Sequence, residues 1–128
     1  MGALVVITTV GTEEQANDIA RELVCRRHAA CVNIVPGLRS VYRWQGKVCR
    51  DSEFLLMVKT EEEEYAQVEQ AIRELHSYEL PEILAFKVER GDANFLAWIR
   101  GSLDKTSPPC DPEDELEEPL VNLDETNY

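Results

Sequence analysis

Few residues in this chain are suited to chemistry. Cys25, His28 and Cys31 follow one another as C-x2-H-x2-C. Cys25 and His28 would share a helix face at a spacing of three, while Cys31 opens the next strand. A structural zinc site needs four ligands, commonly as two paired groups, and only one such group is present. Cys25 and Cys31 therefore read as small buried hydrophobes. A run of carboxylates, Glu61 to Glu64, opens the second predicted helix. A helix N-terminus favours negative charge, so the run reads as a solvated first turn rather than a metal cluster. No G-x-S-x-G, P-loop or G-x-G-x-x-G occurs, so the common nucleophile and phosphate motifs are missing. A Cys31–His76 nucleophile–base pair is the remaining catalytic arrangement, and the chain is read as non-enzymatic.

These residues sit on a recognisable series of elements. Leu4 to Val10 is β-branched and apolar on both faces, as a buried strand is. Thr12 with Gln15 forms a capping box for a helix whose stripe is Ala16, Ile19, Ala20, Leu23 and Val24, ending near His28. Ala30 to Val35 is a second strand. Pro36-Gly37 bends or bulges it, and it resumes from Ser40 to Trp44. Gln45-Gly46 makes a tight turn into a third strand from Lys47 to about Thr60. Thr60 and Glu63 should cap a second helix with the stripe Tyr65, Val68, Ile72 and Leu75. Pro81 bars further helix, Glu82 to Glu89 is a fourth strand, and Asp92 caps a last helix that stops at Gly101. The order β-α-β-β-α-β plus a terminal helix predicts an α+β, ferredoxin-like βαββαβ sandwich.

Length and charge set the boundaries. The chain has 128 residues, enough for one core. Its net charge of -12 disfavours a duplex-binding module or an anionic membrane surface. The central strand Phe54-Leu55-Leu56-Met57-Val58 also lacks the glycine and aromatic pattern of RNA-recognition sheets. Residues 1–103 are the predicted domain. Residues 104–128 hold nine acids against one base, so they carry -8 of the charge, and are read as a mobile acidic tail. No targeting or spanning segment is visible. The four cysteines are expected as free thiols in a reducing cytoplasm. Both helices cover one face of the sheet, yet the Leu4–Ile7 and Phe54–Val58 strands are apolar on both. The second face must be covered, most simply by further copies, so the pattern predicts an obligate homo-oligomer.

Ala30-Cys31, Pro36-Gly37, Ser40-x-Tyr42-x-Trp44-x-Gly46-Lys47, Glu53, Lys59-Thr60, His76-x-Tyr78-x-x-Pro81-Glu82, Gly91-Asp92 and Phe95-Leu96-x-Trp98 together resemble the CutA family of divalent-cation tolerance proteins. The resemblance spans roughly residues 4–103. Phe95 departs from it, standing where a tyrosine is usual. The resemblance implies a homotrimer with the architecture of the PII signalling proteins, whose ligands bind between subunits. It also implies a link to copper and other divalent cations, and no defined catalytic activity.

On that resemblance His76 and Cys31 are the expected ligands of copper or another divalent cation, since imidazole suits Cu(II) and thiolate Cu(I); in a trimer His76 could meet Cys31 or Glu82, from the same or an adjacent subunit. His76 could equally complete the end of its helix. Lys59, Tyr42, Trp44, Tyr78 and Glu82 are the expected cleft residues, with Lys59 holding a small anion. The aromatics could instead be packing, and Lys59 and Glu82 a mutual ion pair. The expected function is divalent-cation (copper) tolerance by a cytoplasmic homotrimer. The alternatives are a PII-like small-molecule sensor and an assembly scaffold.

Overall fold

In the computed structural model, residues 2–106 and Cys110 are described. The elements are β1 (Ala3–Val10), α1 (Glu13–Cys25), β2 (Cys31–Trp44), β3 (Lys47–Glu61), a single 3-10 turn (Glu62–Glu64), α2 (Tyr65–Leu75), β4 (Leu84–Lys87) and α3 (Ala93–Ser102). One antiparallel sheet runs β2-β3-β1-β4. This is the expected ferredoxin-like order.

Register decides what each face carries. Val6 pairs with Val58, Thr8 with Leu56 and Val10 with Phe54, and paired residues point to the same side. That side meets α1 and α2 through Ala16, Ile19, Leu23, Val68, Ala71 and Ile72, and forms the main core. The opposite side carries Val5 with Lys59 and Phe86, and Ile7 with Met57 and Leu84. Val5, Ile7, Leu55 and Met57 are half-buried there, whereas Leu84 and Phe86 are exposed. At one end of the sheet α3 closes a smaller cluster of Ala3, Ala30, Ile99 and Leu103. Phe95 and Trp98 of α3 stay 44% and 48% exposed.

Local signals explain most of the boundaries. The Thr12 hydroxyl accepts from the Gln15 backbone N–H, as a cap should. The Gln15 side chain does not close the expected box. It crosses to α2 instead, donating to the Leu75 carbonyl and accepting from the Ser77 N–H. Gln45 and Gly46 both take positive φ, the hairpin turn that suits twisted strands. Pro36-Gly37 does not end β2. It produces a register shift between Val35 and Leu38 within one continuous strand, with Gly37 at φ 77.

The expected cap at Thr60 is not formed. Thr60 stays in β3, fully buried, and its hydroxyl donates to the His28 carbonyl. The ladder of β1 holds Glu61 opposite Ala3, so the helix cannot begin there. A 3-10 turn follows, and α2 starts at Tyr65 without a side-chain cap.

The cysteine expectation is corrected too. Cys25 and Cys110 form a disulfide, while Cys31 and Cys49 are free. Leu103 packs into the α3 cluster, and Lys105 binds the Arg27 carbonyl and Glu64. These contacts turn the chain back over the end of α1, where Cys25 lies. The mobility expected for residues 104–128 falls mostly outside the described residues.

Candidate functional site

β1 stops pairing at Val10–Phe54, and Gly11 takes the chain out of the sheet. Glu53 lies just past that last pair. A side chain would ordinarily cover it, but Gly11 has none. Tyr78 fills the space. Its hydroxyl lies 3.0 Å from where a Cβ on Gly11 would stand, and it donates to Glu53 Oε2 at 2.8 Å. Glu53 is only 7% exposed. Burial and the Glu53 bond together hold the Tyr78 hydroxyl in its protonated form, well above the usual tyrosine range.

His76 sets Tyr78 in place. The pairing of β4 with β1 ends at Ile7, so the Thr9 carbonyl lies beyond the strand that would have satisfied it. His76 Nε2 donates to that carbonyl at 2.7 Å, and Nδ1 accepts from the Tyr78 N–H at 3.0 Å. The pattern requires hydrogen on Nε2 and a lone pair on Nδ1. The two rings also pack, with centroids 4.7 Å apart. The His76-x-Tyr78 spacing thus acts as a bracket. One ring replaces a missing strand, and the other reaches the buried carboxylate.

This bracket forms one wall of a cavity of about 830 Å³. The hairpin of β2 and β3 forms the other. Tyr42, Trp44, Tyr78 and Glu82 all line it, with Asp51, Glu53 and Arg39 among the others. The Tyr42 hydroxyl donates to Asp51, and that bond leads in pushing its pKa up to about 12. Four of the five expected cleft residues are therefore brought together. Glu53, the buried centre of the group, was quoted for the resemblance but not assigned to the site. Its signal was a carboxylate in an apolar strand.

Lys59 is elsewhere. It pairs with Cys31 and Val5, and its Nζ lies 5.6 Å from the Phe95 ring centroid. Among the described residues no ion pair joins it to Glu82. An anion held at Lys59 would not share the cavity with Tyr42 and Trp44.

His76 and Cys31 are not brought together within one chain. His76 bonds Thr9, which pairs with Leu55, whereas Cys31 pairs with Lys59. Four strand residues separate these positions, about 13 Å at the strand rise. Both nitrogens of His76 are already committed. Burial raises the Cys31 thiol pKa, with Lys59 opposing, so the neutral thiol is favoured over the metal-binding thiolate. Among the described residues no group of three His, Cys, Asp or Glu is placed to hold a metal ion. The described residues of a single chain do not fit a pre-built divalent-metal centre. The C-x2-H-x2-C run is dispersed as well. Cys25 is in the disulfide, and His28 Nδ1 lies 3.2 Å from Glu64.

Comparison with known proteins agrees with this arrangement. Residues 4–102 match the family model described as CutA1 divalent ion tolerance protein. The divalent-cation tolerance protein CutA of Thermus thermophilus is 49% identical over 96 residues, covering 75% of this chain and 93% of that protein. Human protein CutA is 41% identical over 92 residues, 72% of this chain, which spans about half (51%) of the human sequence. Among solved structures, the Thermus thermophilus protein superposes with a TM-score of 0.77 at 47% identity, covering 78% of this chain and 97% of that one. CutA from Xylella fastidiosa gives 0.79 at 36% identity, covering 81% and 100%. Matching along nearly the whole described fold, the chain belongs to the CutA1 divalent ion tolerance protein family.

Proposed function

We propose that this chain acts in divalent-cation tolerance as a non-catalytic homotrimer, and that it responds through a ligand bound in the hairpin cavity. The observation that carries the reading is the cavity of about 830 Å³ lined by Tyr42, Trp44, Tyr78 and Glu82. It is braced by hydrogen bonds, so it is formed before any ligand arrives. That is the usual state of a binding site. Oligomerisation is supported by the uncovered sheet face, where Val5, Ile7, Leu55, Met57, Leu84 and Phe86 lie side by side. A continuous apolar patch of this kind is a protein contact surface.

A copper site made of His76 and Cys31 is the less favoured mechanism. It would have to draw its two ligands from different copies, and it would cost His76 one of its hydrogen bonds. The cytoplasmic setting belongs to the same proposal, and the Cys25–Cys110 bond provides its check. In a reducing compartment both thiols would be open to alkylation.

Native mass spectrometry of the full chain, with and without Cu(II), tests the proposal. The expected result is a trimer without a stoichiometric copper step. A stoichiometric step that disappears in His76→Ala would overturn the ligand reading in favour of a metal centre. A monomer at micromolar concentration would remove the trimer.

A further inference from the structure

The hairpin of β2 and β3 has a second face, opposite to the one that carries Tyr42 and Trp44. Arg39 pairs with Ser52, Val41 with Arg50 and Arg43 with Val48, and paired residues point to the same side. Along β3, Ser52, Arg50 and Val48 continue the alternation of Val58, Leu56 and Phe54. This face therefore lies on the α1 and α2 side of the sheet, away from the side proposed for contact between copies. None of its paired positions is acidic. Val41 and Val48 are each 68% exposed, and the three arginines are exposed beside them.

Other bases of the chain are neutralised locally. Arg26, Arg73, Lys87, Arg100 and Lys105 form ion pairs with glutamates. The guanidinium groups of Arg39, Arg43 and Arg50 form no ion pair or hydrogen bond among the described residues. Three unpaired like charges on one face raise the local concentration of anionic groups. The valines narrow the choice of anion. A phosphate would use the arginines and leave Val41 and Val48 in water, whereas an acidic peptide with aliphatic side chains uses both.

Residues 111–128, which lie outside the described residues, have that composition. They hold eight Asp or Glu and no Lys or Arg, together with Leu116, Leu120, Val121 and Leu123. The stretch also begins in a suitable place. Cys110 is bonded to Cys25 at the end of α1, on the same side of the sheet as the arginines. Arg39 and Arg43 lie about 26–40 Å along β2 from Cys31, near that end. A stretch of this length spans up to about 60 Å, so it reaches them. A tether of this kind makes docking intramolecular, so that several weak surface ion pairs suffice.

We propose that the acidic stretch 111–128 docks on the arginine face of its own hairpin, with carboxylates on Arg39, Arg43 and Arg50 and aliphatic side chains on Val41 and Val48.

Digestion of the full chain by a glutamyl endopeptidase, without reductant, tests this. Mass spectrometry reads the bonds after Glu115, Glu117 and Glu125, and a synthetic peptide of residues 111–128 in the same buffer gives the undocked rate. At low salt these bonds should be cut at least about threefold more slowly in the chain than in the peptide. The variant Arg39→Gln/Arg43→Gln/Arg50→Gln should lose that protection. So should the wild-type chain in about 1 M NaCl, which shortens the screening length to about 3 Å. The salt response stands by itself if the variant unfolds, which cleavage after the buried Glu53 would reveal. Equal rates in chain and peptide at low salt overturn the docking. Protection that survives both the substitutions and the salt puts the stretch on another surface and overturns the arginine assignment.

Discussion

The two ends of the sheet are held by different physics. At the hairpin end, Thr9, Glu53, His76 and Tyr78 are joined side chain to backbone and side chain to side chain. At the α3 end, Ala3, Ala30, Ile99 and Leu103 pack as hydrocarbon, and the Cys25–Cys110 bond ties the chain across α1. The first end leaves an open cavity with a buried carboxylate. The second leaves apolar α3 residues on the surface. Directional polar bonds can hold a hollow shape, because each partner is fixed in angle as well as distance. Apolar packing fills space instead. The hollow end is thus suited to a ligand, and the packed end to another protein surface.

The contrast can be broken by substitution. The largest effect is expected at the α3 end, from Cys110→Ser. The disulfide joins residues 85 apart in sequence, and removing such a link costs about 2–4 kcal/mol. The urea midpoint measured without reductant should fall accordingly, and the wild-type chain with reductant should match the variant. An unchanged midpoint would mean that this end is held by packing alone.

The next pair compares the ends directly. His76→Ala orphans the Thr9 carbonyl and the Tyr78 N–H, a loss of about 2–3 kcal/mol. Cys31→Ala, in half-buried surroundings at the other end, should cost about 1 kcal/mol or less. Equal losses in urea titration would show that His76 is no bracket.

The smallest effect is alkaline. Tyr42 and Tyr78 are both raised above the ordinary tyrosine value, Tyr42 to about 12. A raised folded-state pKa means that the folded chain holds its proton more tightly. The stability so gained is complete below about pH 10, and it is lost as pH rises through the folded-state values. Ultraviolet titration should show these phenols ionising later than in the urea-unfolded chain. Asp51→Asn should bring Tyr42 down toward its ordinary value and leave Tyr78 raised.

Much of the fold was legible along the chain, because the signals are local. Thr12 caps α1 through its own third neighbour, and Gln45-Gly46 turns the hairpin through its own φ angles. Alternation alone marked both faces of β1 and β3 as apolar. The Thr60 cap failed for a non-local reason. Pairing with β1 keeps Glu61 in the sheet, and a ladder outweighs a cap preference of about 1 kcal/mol.

The site was legible by type and not by place. Residue kinds in order brought Tyr42, Trp44, Tyr78 and Glu82 into consideration, and they do meet. The same reasoning put His76 near Cys31, of the same or an adjacent copy, and Lys59 near Glu82; within one chain the strand rise keeps the first pair about 13 Å apart, and no ion pair joins the second among the described residues. No spacing rule links Gly11 to Tyr78, Glu53 to Tyr78, or Cys25 to Cys110. Period, cap and turn depend on neighbours a few residues away, so the sequence alone determined the elements, their order and the two-sided apolar strands. Which polar groups are left without a strand partner, and which side chain comes back to meet them, depends on where each ladder stops. Only the tertiary structure decided that, turning His76 into a bracket and Glu53 into the buried charge of the cavity.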